Sequence, residues 1–130
     1  MKETPGHFQL KRCFADAFRG IMVVLRTEWN FRIHLLMCAV AVVLGFSFKI
    51  SSGEWMAVVL CSALVIVAEV LNTAIEYLAD AVHPEVDEGV GRAKDAAAGG
   101  VMIAAVAAGV VGAIVFLPKI WVWLIKIVEK

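Results

Sequence analysis

Charged residues are scarce in this chain of 130 residues, where they make up only 18% of the sequence, whereas 62% of the residues are hydrophobic and the mean hydropathy is +0.85. Soluble domains are about 45 to 50% apolar and about 25% charged. The composition therefore argues against a soluble domain and favours a membrane protein. Twelve Lys and Arg balance twelve Asp and Glu, so no net charge attracts nucleic acid or acidic partners.

Other common signals are also missing. The cysteines, Cys13, Cys38 and Cys61, are widely spaced, which indicates neither a disulfide framework nor a metal knuckle and predicts buried thiols. The first long apolar run begins only near Ile33, after a charged stretch, so no cleaved signal is expected. In "GVGRAK", Lys94 stands where the third glycine of GxGxxG would be, and no Walker loop is present, so a nucleotide would have to be bound in another way.

The long apolar runs predict how the chain crosses a bilayer. A span needs about 20 mostly apolar residues, and an earlier stretch repeats its apolar side chains at helical spacing, as a helix in the headgroup plane does. The expected fold class is an all-α membrane protein, in which an N-terminal amphipathic surface helix precedes three transmembrane helices. We expect one membrane domain, 1–130, with the surface helix at about 7–31, transmembrane helices at 32–49, 54–80 and 95–118, and an interfacial tail at 119–130.

Basic residues indicate the orientation of this domain. They gather before the first span and in the long polar loop 80–95, so the positive-inside rule places the N-terminus and this loop in the cytoplasm. The connection 49–54 is short enough to predict a tight turn between antiparallel helices. The basic residues concerned are Lys2, Lys11, Arg12, Arg19, Arg26, Arg32, Arg92 and Lys94.

The third span is rich in glycine and alanine, and small residues let membrane helices approach closely. Three helices alone would hardly shield a polar interior, so a homo-oligomer is expected. The glycines are Gly99, Gly100, Gly109 and Gly112.

Polar residues interrupt the inner end of the second span in "AEVLNTAIEYLAD". At about 100° per residue they form one continuous face of a helix, and Glu69 lies roughly 16 Å deeper than Asp80. An ionised carboxylate facing lipid there would cost at least about 2 kcal/mol, so it must face a partner, a cation or a watery cavity. Carboxylates and a carboxamide on one face suit Mg²⁺ better than Zn²⁺, and Glu28 could add another oxygen ligand. The residues of this polar stripe are Glu69, Asn72, Thr73, Glu76 and Asp80.

Structural interpretations compete with functional ones at several positions. Glu69 and Glu76 could form structural pairs, although an intramembrane carboxylate more often marks a functional site. Asn72 could be an interhelical hydrogen-bond donor. The remaining charged residues could be solvated, or could cap or complement a helix terminus, and the histidines are expected to be interfacial side chains. These residues are Asp80, Asp95, His34 and His83.

Four segments resemble one family. "RTEWNFRIH", "EVLNTAIEYLAD", "GRAKDAAAGGV" and "IVFLPK" are similar to the bacterial integral-membrane lipid kinases, the prokaryotic diacylglycerol kinases and undecaprenol kinases. The resemblance covers nearly the whole chain. It implies a homotrimer of three-span subunits that uses Mg-ATP to phosphorylate a lipid alcohol at the cytoplasmic face of the bacterial plasma membrane.

The resemblance also implies roles for individual residues. Glu69 would be the catalytic base, and Glu28 and Glu76 would hold the metal that bridges the ATP phosphates. The polar loop departs from the family pattern in carrying His83 early and Asp87 later. Further contacts to the nucleotide are expected from Asn72, Glu85, Asp87, Lys94 and Asp95, and contacts to the lipid from Glu69 and Ala98.

The acceptor lipid is the finer question. The motifs look closer to the undecaprenol kinases than to the enterobacterial diacylglycerol kinases, so phosphorylation of undecaprenol to undecaprenyl phosphate is preferred over phosphorylation of diacylglycerol to phosphatidic acid. A polar-cored membrane assembly without enzymatic activity, such as a channel or scaffold, would explain the polar stripe. It would not explain Lys94 and Asp95 beside a flexible loop.

Overall fold

The computed structural model describes residues 5–85 and 87–129, with side chains from residue 9 onward. These residues form helices and no strand, and the last three helices are long and apolar enough to cross a membrane. The all-helical class and the three candidate spans are thus confirmed, while Lys2 lies outside the described residues. The helices are α1, Pro5–Thr27; α2, Trp29–Phe48; α3, Ser52–Val82; and α4, Glu88–Val128.

The helix expected over 7–31 is divided at Glu28. This residue has an extended backbone, with φ −96° and ψ 116°, and its N–H donates to the carbonyl of Val24 at 2.9 Å, which closes the last turn of α1. The first residues of α2 therefore come from the segment that the apolar pattern assigned to the surface helix. The spacing of apolar side chains does not reveal a break when only one residue leaves the helical conformation.

A tight turn joins α2 to α3, as the sequence indicates. Lys49 ends α2 in the left-handed conformation with φ 50°, and the Ser51 and Glu54 side chains cap α3 reciprocally. Next to the turn, the ring of Trp55 packs on Gly45 so closely that a Cβ there would lie 2.6 Å from the indole. Glycine is required at this position because the ring occupies the space of a side chain.

The connection between α3 and α4 is shorter than the polar segment 80–95 suggests. The residue before a proline disfavours the helical conformation, and α3 ends accordingly before His83 and Pro84. Asp87 then caps the start of α4, where its Oδ1 accepts a hydrogen bond from the N–H of Val90 at 2.9 Å. Polar residues that resemble a loop in sequence are therefore the first turns of a helix.

At its other end, α4 continues beyond the expected third span. It includes Pro118 and runs on to Val128, so the segment expected as an interfacial tail is helical in its described part. Proline lacks an N–H group, but membrane helices tolerate it where their neighbours satisfy the freed carbonyl.

Contacts between charged side chains show how α3 and α4 are arranged. Lys94 lies 2.6 Å from Asp80 near one end of the pair, and Lys119 lies 2.7 Å from Glu54 near the other. The two helices are therefore antiparallel, and they share the most extensive helix contact among the described residues. The buried apolar core sits at the Glu54 end and comprises Ile50, Val58, Val115 and Phe116.

The expectation of buried thiols needs correction. Cys13 is exposed and Cys38 and Cys61 are only half-buried, because α1 presents one side to the surroundings and a single chain covers little of α2 and α3. Among the described residues, the glycines of the third span make no close contact with another helix, since a Cβ at any of them would meet no atom within 4 Å outside its own stretch of helix. Close packing of these glycines against protein stays a prediction. The latter residues are Gly99, Gly100, Gly109 and Gly112.

Candidate active site

The polar stripe of α3 changes from buried to exposed along the helix. Glu69 and Thr73 are only 3% and 2% exposed, Asn72 and Glu76 are half-buried, and Asp80 is exposed. The Thr73 hydroxyl is satisfied by donating to the Glu69 carbonyl at 3.0 Å. The stripe therefore carries one carboxylate into the protein interior and leaves others near the helix end.

The deepest carboxylate meets a histidine from the neighbouring helix. Glu69 Oε1 lies 3.2 Å from Nε2 of His34 on α2. The sequence predicts an interfacial side chain at His34, and the structure adds this contact with Glu69. The sequence did contain one indication that His34 faces the protein interior, because His34, Cys38 and Ala41 follow one another at helical spacing. All three line an apolar cavity of about 420 Å³ between α2, α3 and α4.

The break between α1 and α2 positions Glu28 beside this pair. The Arg32 guanidinium donates from Nε to the Leu25 carbonyl at 2.8 Å and from Nη2 to the Arg26 carbonyl, and so satisfies the end of α1. The Tyr77 hydroxyl of α3 donates to Thr27 Oγ1 at 3.0 Å. Together these contacts hold the break against the stripe.

Charges converge at the buried end of the site. The carboxylates of Glu28 and Glu76 both act on Glu69 with like charge, and His34 acts on it with opposite charge. Like charges are held together here although they repel each other, which is common at sites that bind a cation or transfer a proton. The structure thus brings together the three carboxylates that the sequence analysis assigned to catalysis and metal binding.

A second set of contacts lies nearer the helix end. Asn72 Nδ2 donates to Glu76 Oε1 at 2.8 Å, while Asn72 Oδ1 is buried and has no hydrogen-bond partner among the described residues. Lys94 of α4 donates to Asp80 Oδ1 at 2.6 Å, and its charge also acts on Glu76. The antiparallel packing of α3 and α4 therefore brings a lysine to the exposed half of the stripe.

The other expected site residues are more peripheral. Asp95 and Ala98 are exposed on α4, and Glu85 is exposed in the connection before it. One Asp87 oxygen caps α4, which leaves the other for a ligand. Ala97 rather than Ala98 lines, together with Asn72, a groove of about 350 Å³ between α3 and α4.

The donor set is compatible with Mg²⁺. No group of three or more His, Cys, Asp or Glu side chains forms a ready-made metal site in the described part of the chain. Magnesium, however, is usually held by only one or two carboxylates together with waters and substrate phosphates. Glu28, Glu76 and the unsatisfied Asn72 oxygen provide hard oxygen ligands of that kind.

The comparisons with known proteins identify the family. A family model described as prokaryotic diacylglycerol kinase matches residues 15–116, more than half of the chain. The chain belongs to the prokaryotic diacylglycerol kinase family. The resemblance seen in the four sequence segments is thereby confirmed, and all the site residues from Glu28 to Ala98 lie within the matched range.

Relatives of this prokaryotic diacylglycerol kinase family member carry two kinds of name. The undecaprenol kinase of Bacillus subtilis (strain 168) is 38% identical over 109 residues, which cover 84% of this chain and 89% of that protein. The diacylglycerol kinase of Synechocystis sp. is 39% identical over 109 residues, which cover 82% of this chain and 62% of that protein. The diacylglycerol kinase of Haemophilus influenzae is 29% identical over 117 residues, which cover 89% of this chain and 99% of that protein.

Proposed function

We propose that this chain is an Mg-ATP-dependent kinase that phosphorylates the hydroxyl group of a membrane lipid, with undecaprenol as the preferred acceptor. The family and the kinase names of its relatives support the lipid kinase assignment. The observation that carries the proposal is the gradient along α3, where buried Glu69 lies deep and Glu76 lies nearer the helix end with Lys94. A site with this gradient can receive one substrate from the bilayer and the other from water.

Phosphoryl transfer requires mainly positioning and charge neutralisation from a protein. Glu69 accepts the proton of the lipid hydroxyl, and the hydroxyl oxygen forms a bond to the γ-phosphorus while the bond from that phosphorus to the β–γ bridging oxygen breaks. Lys94 and Asn72 orient the phosphates from the shallow half of the stripe. The products are the lipid phosphate and ADP.

Glu28 and Glu76 are the residues that would hold Mg²⁺. When bound, the ion supplies neutralisation of the phosphate charge. The residues fit this role because Glu76 keeps one oxygen outside its hydrogen bond with Asn72, and because Glu28 is held beside the stripe by its neighbours in the helix break. Asp95, Glu85 and the Asp87 oxygen that does not cap α4 are proposed to complete the nucleotide contacts.

A homotrimer in the bacterial plasma membrane is part of the proposal. Large apolar side chains are exposed along α2, α3 and α4, and the glycines of α4 leave space for close approach of another helix. The basic residues of α1 favour a cytoplasmic N-terminus, and exposed Phe14 and Phe18 suit a helix lying in the headgroup region.

The lipid preference follows from the side chains near the start of the third span. Diacylglycerol brings ester carbonyls that accept hydrogen bonds, whereas undecaprenol has only its hydroxyl. Ala97, Ala98 and Gly99 offer no side-chain donor, so ester groups there would go unpaired at a cost of about 1 to 3 kcal/mol each. A narrow polyprenol is therefore the better acceptor.

Side-by-side assays with both lipids in one detergent test this preference. We expect a higher kcat/KM for undecaprenol, and we expect Ala98→Ser, which adds a donor, to narrow the difference. Equal or greater efficiency with diacylglycerol, the lipid in the names of several relatives, would show that the predicted preference for undecaprenol is wrong.

A further inference from the structure

His34 is the feature of the site that neither the stripe nor the metal ligands account for. It projects from α2 toward α3, where its Nε2 lies 3.2 Å from Glu69 Oε1, and its side chain is 24% exposed. The contact joins residues 35 positions apart in sequence, on helices that pack against each other. It therefore depends on the packing of the two spans.

The surroundings of Glu69 give this contact its importance. Glu69 Oε1 is buried, and its contact with His34 is close in distance but lacks the angles of a hydrogen bond, so the oxygen has no hydrogen bond among the described residues. The carboxylates of Glu28 and Glu76 repel its charge. Of the charged groups that act on Glu69 in the described part of the chain, His34 alone can be positive. A buried carboxylate that two like charges repel needs such a partner to be held in one orientation.

We propose that His34 is a positioning residue that holds the Glu69 carboxylate directed toward the lipid hydroxyl. This inference rests on the proposed function, in which Glu69 is the base. Since α2 and α3 are both long helices, the imidazole is carried on a rigid element and restricts the carboxylate to one rotamer. A base that is held in place before the substrate arrives avoids reorganisation during proton transfer.

The test compares His34→Ala and His34→Gln with two control variants, using purified protein in detergent, Mg-ATP and, in separate assays, undecaprenol and diacylglycerol. His83→Gln removes an exposed histidine whose Nδ1 lies 3.3 Å from the backbone carbonyl of Glu85, at the end of α3 and far along that helix from Glu69. Cys38→Ala removes a side chain from the wall of the same apolar cavity without touching Glu69. Both controls should turn over like the unmodified protein.

For His34→Ala we expect kcat to fall about 10- to 100-fold, which is less than the loss from removing a general base itself. The KM values for ATP and lipid should change little, because the lost interaction serves the transition state. His34→Gln keeps a polar contact but cannot be charged, so its kcat should lie between that of His34→Ala and that of the unmodified protein. Added imidazole should restore part of the activity of His34→Ala and should have no such effect on the other variants. The adjoining cavity of about 420 Å³ is large enough to admit an imidazole molecule.

Two results would overturn the inference. One is normal kcat in His34→Ala. The other is a loss that appears only as a raised KM for the lipid and is not relieved by imidazole, which would make His34 a lipid contact or a packing residue. Failure of the proposed function is distinguishable, because the unmodified protein would then phosphorylate neither lipid.

Discussion

Replacing Glu69 by Gln tests the proposed base most directly. The amide has nearly the shape of the carboxylate and fits the same buried position, which is 3% exposed, but it cannot accept the hydroxyl proton. General base catalysis contributes about 10²- to 10⁴-fold, and at about 1.4 kcal/mol for each factor of ten the barrier should rise by about 3 to 5 kcal/mol. We therefore expect turnover to fall to the background of the assay.

The fold and assembly of this variant should be largely intact. Glu69→Gln removes a charge that Glu28 and Glu76 repel, and the His34 imidazole that remains can be neutral, so no buried charge is left without a partner. Thermal unfolding and size-exclusion chromatography in detergent should thus resemble those of the unmodified protein.

Transfer of labelled phosphate from ATP to extracted lipid measures the effect. Glu54→Gln is the matched control, because Glu54 is a carboxylate at the opposite end of the same helix that pairs with Lys119. This variant should keep its activity. Normal turnover in Glu69→Gln would refute the assignment of the base, and loss of turnover together with loss of assembly would show that Glu69 is required for structure.

Further predictions address the metal, the helix break and the turn. Glu76→Gln should raise the concentrations of both Mg²⁺ and ATP needed for half-maximal rate, because a hard anionic ligand is lost; unchanged titrations would argue against metal binding there. Tyr77→Phe removes the 3.0 Å hydrogen bond to Thr27 and should lower the free energy of unfolding by about 0.5 to 1 kcal/mol while raising the Mg²⁺ requirement, so an unaltered Mg²⁺ titration would contradict the positioning role. Gly45→Ala places a Cβ 2.6 Å from the Trp55 ring and should destabilise the protein by about 1 to 3 kcal/mol, as thermal unfolding would show; normal stability would mean that the ring moves freely.

Local patterns in the sequence were sufficient to predict the shared face of the polar stripe, the three candidate spans and the family. A helix repeats about every 3.6 residues whatever surrounds it, so the spacing of Glu69, Asn72, Thr73 and Glu76 determined that they share one face. The length of the apolar runs determined the three candidate spans, and the segments around the stripe determined the family. Each of these properties depends on residues close together in the chain.

Helix ends were less accessible to sequence reasoning. The break at Glu28 is one residue long, and the first turns of α4 are polar enough to resemble a loop. Only the backbone conformation and the cap at Asp87 decide where these helices begin. The first helix and the connection between the last two helices therefore have different bounds from those that the sequence predicts.

Contacts between helices were decided by the tertiary structure alone. The spacing along α2 shows that His34 shares a face with Cys38, but it does not show that this face turns toward Glu69 at 3.2 Å. Likewise, the antiparallel register of α3 and α4 brings Lys94 to Asp80. The relative rotation and register of two helices depend on how side chains from both interlock over their whole length, and no short stretch of sequence contains that information.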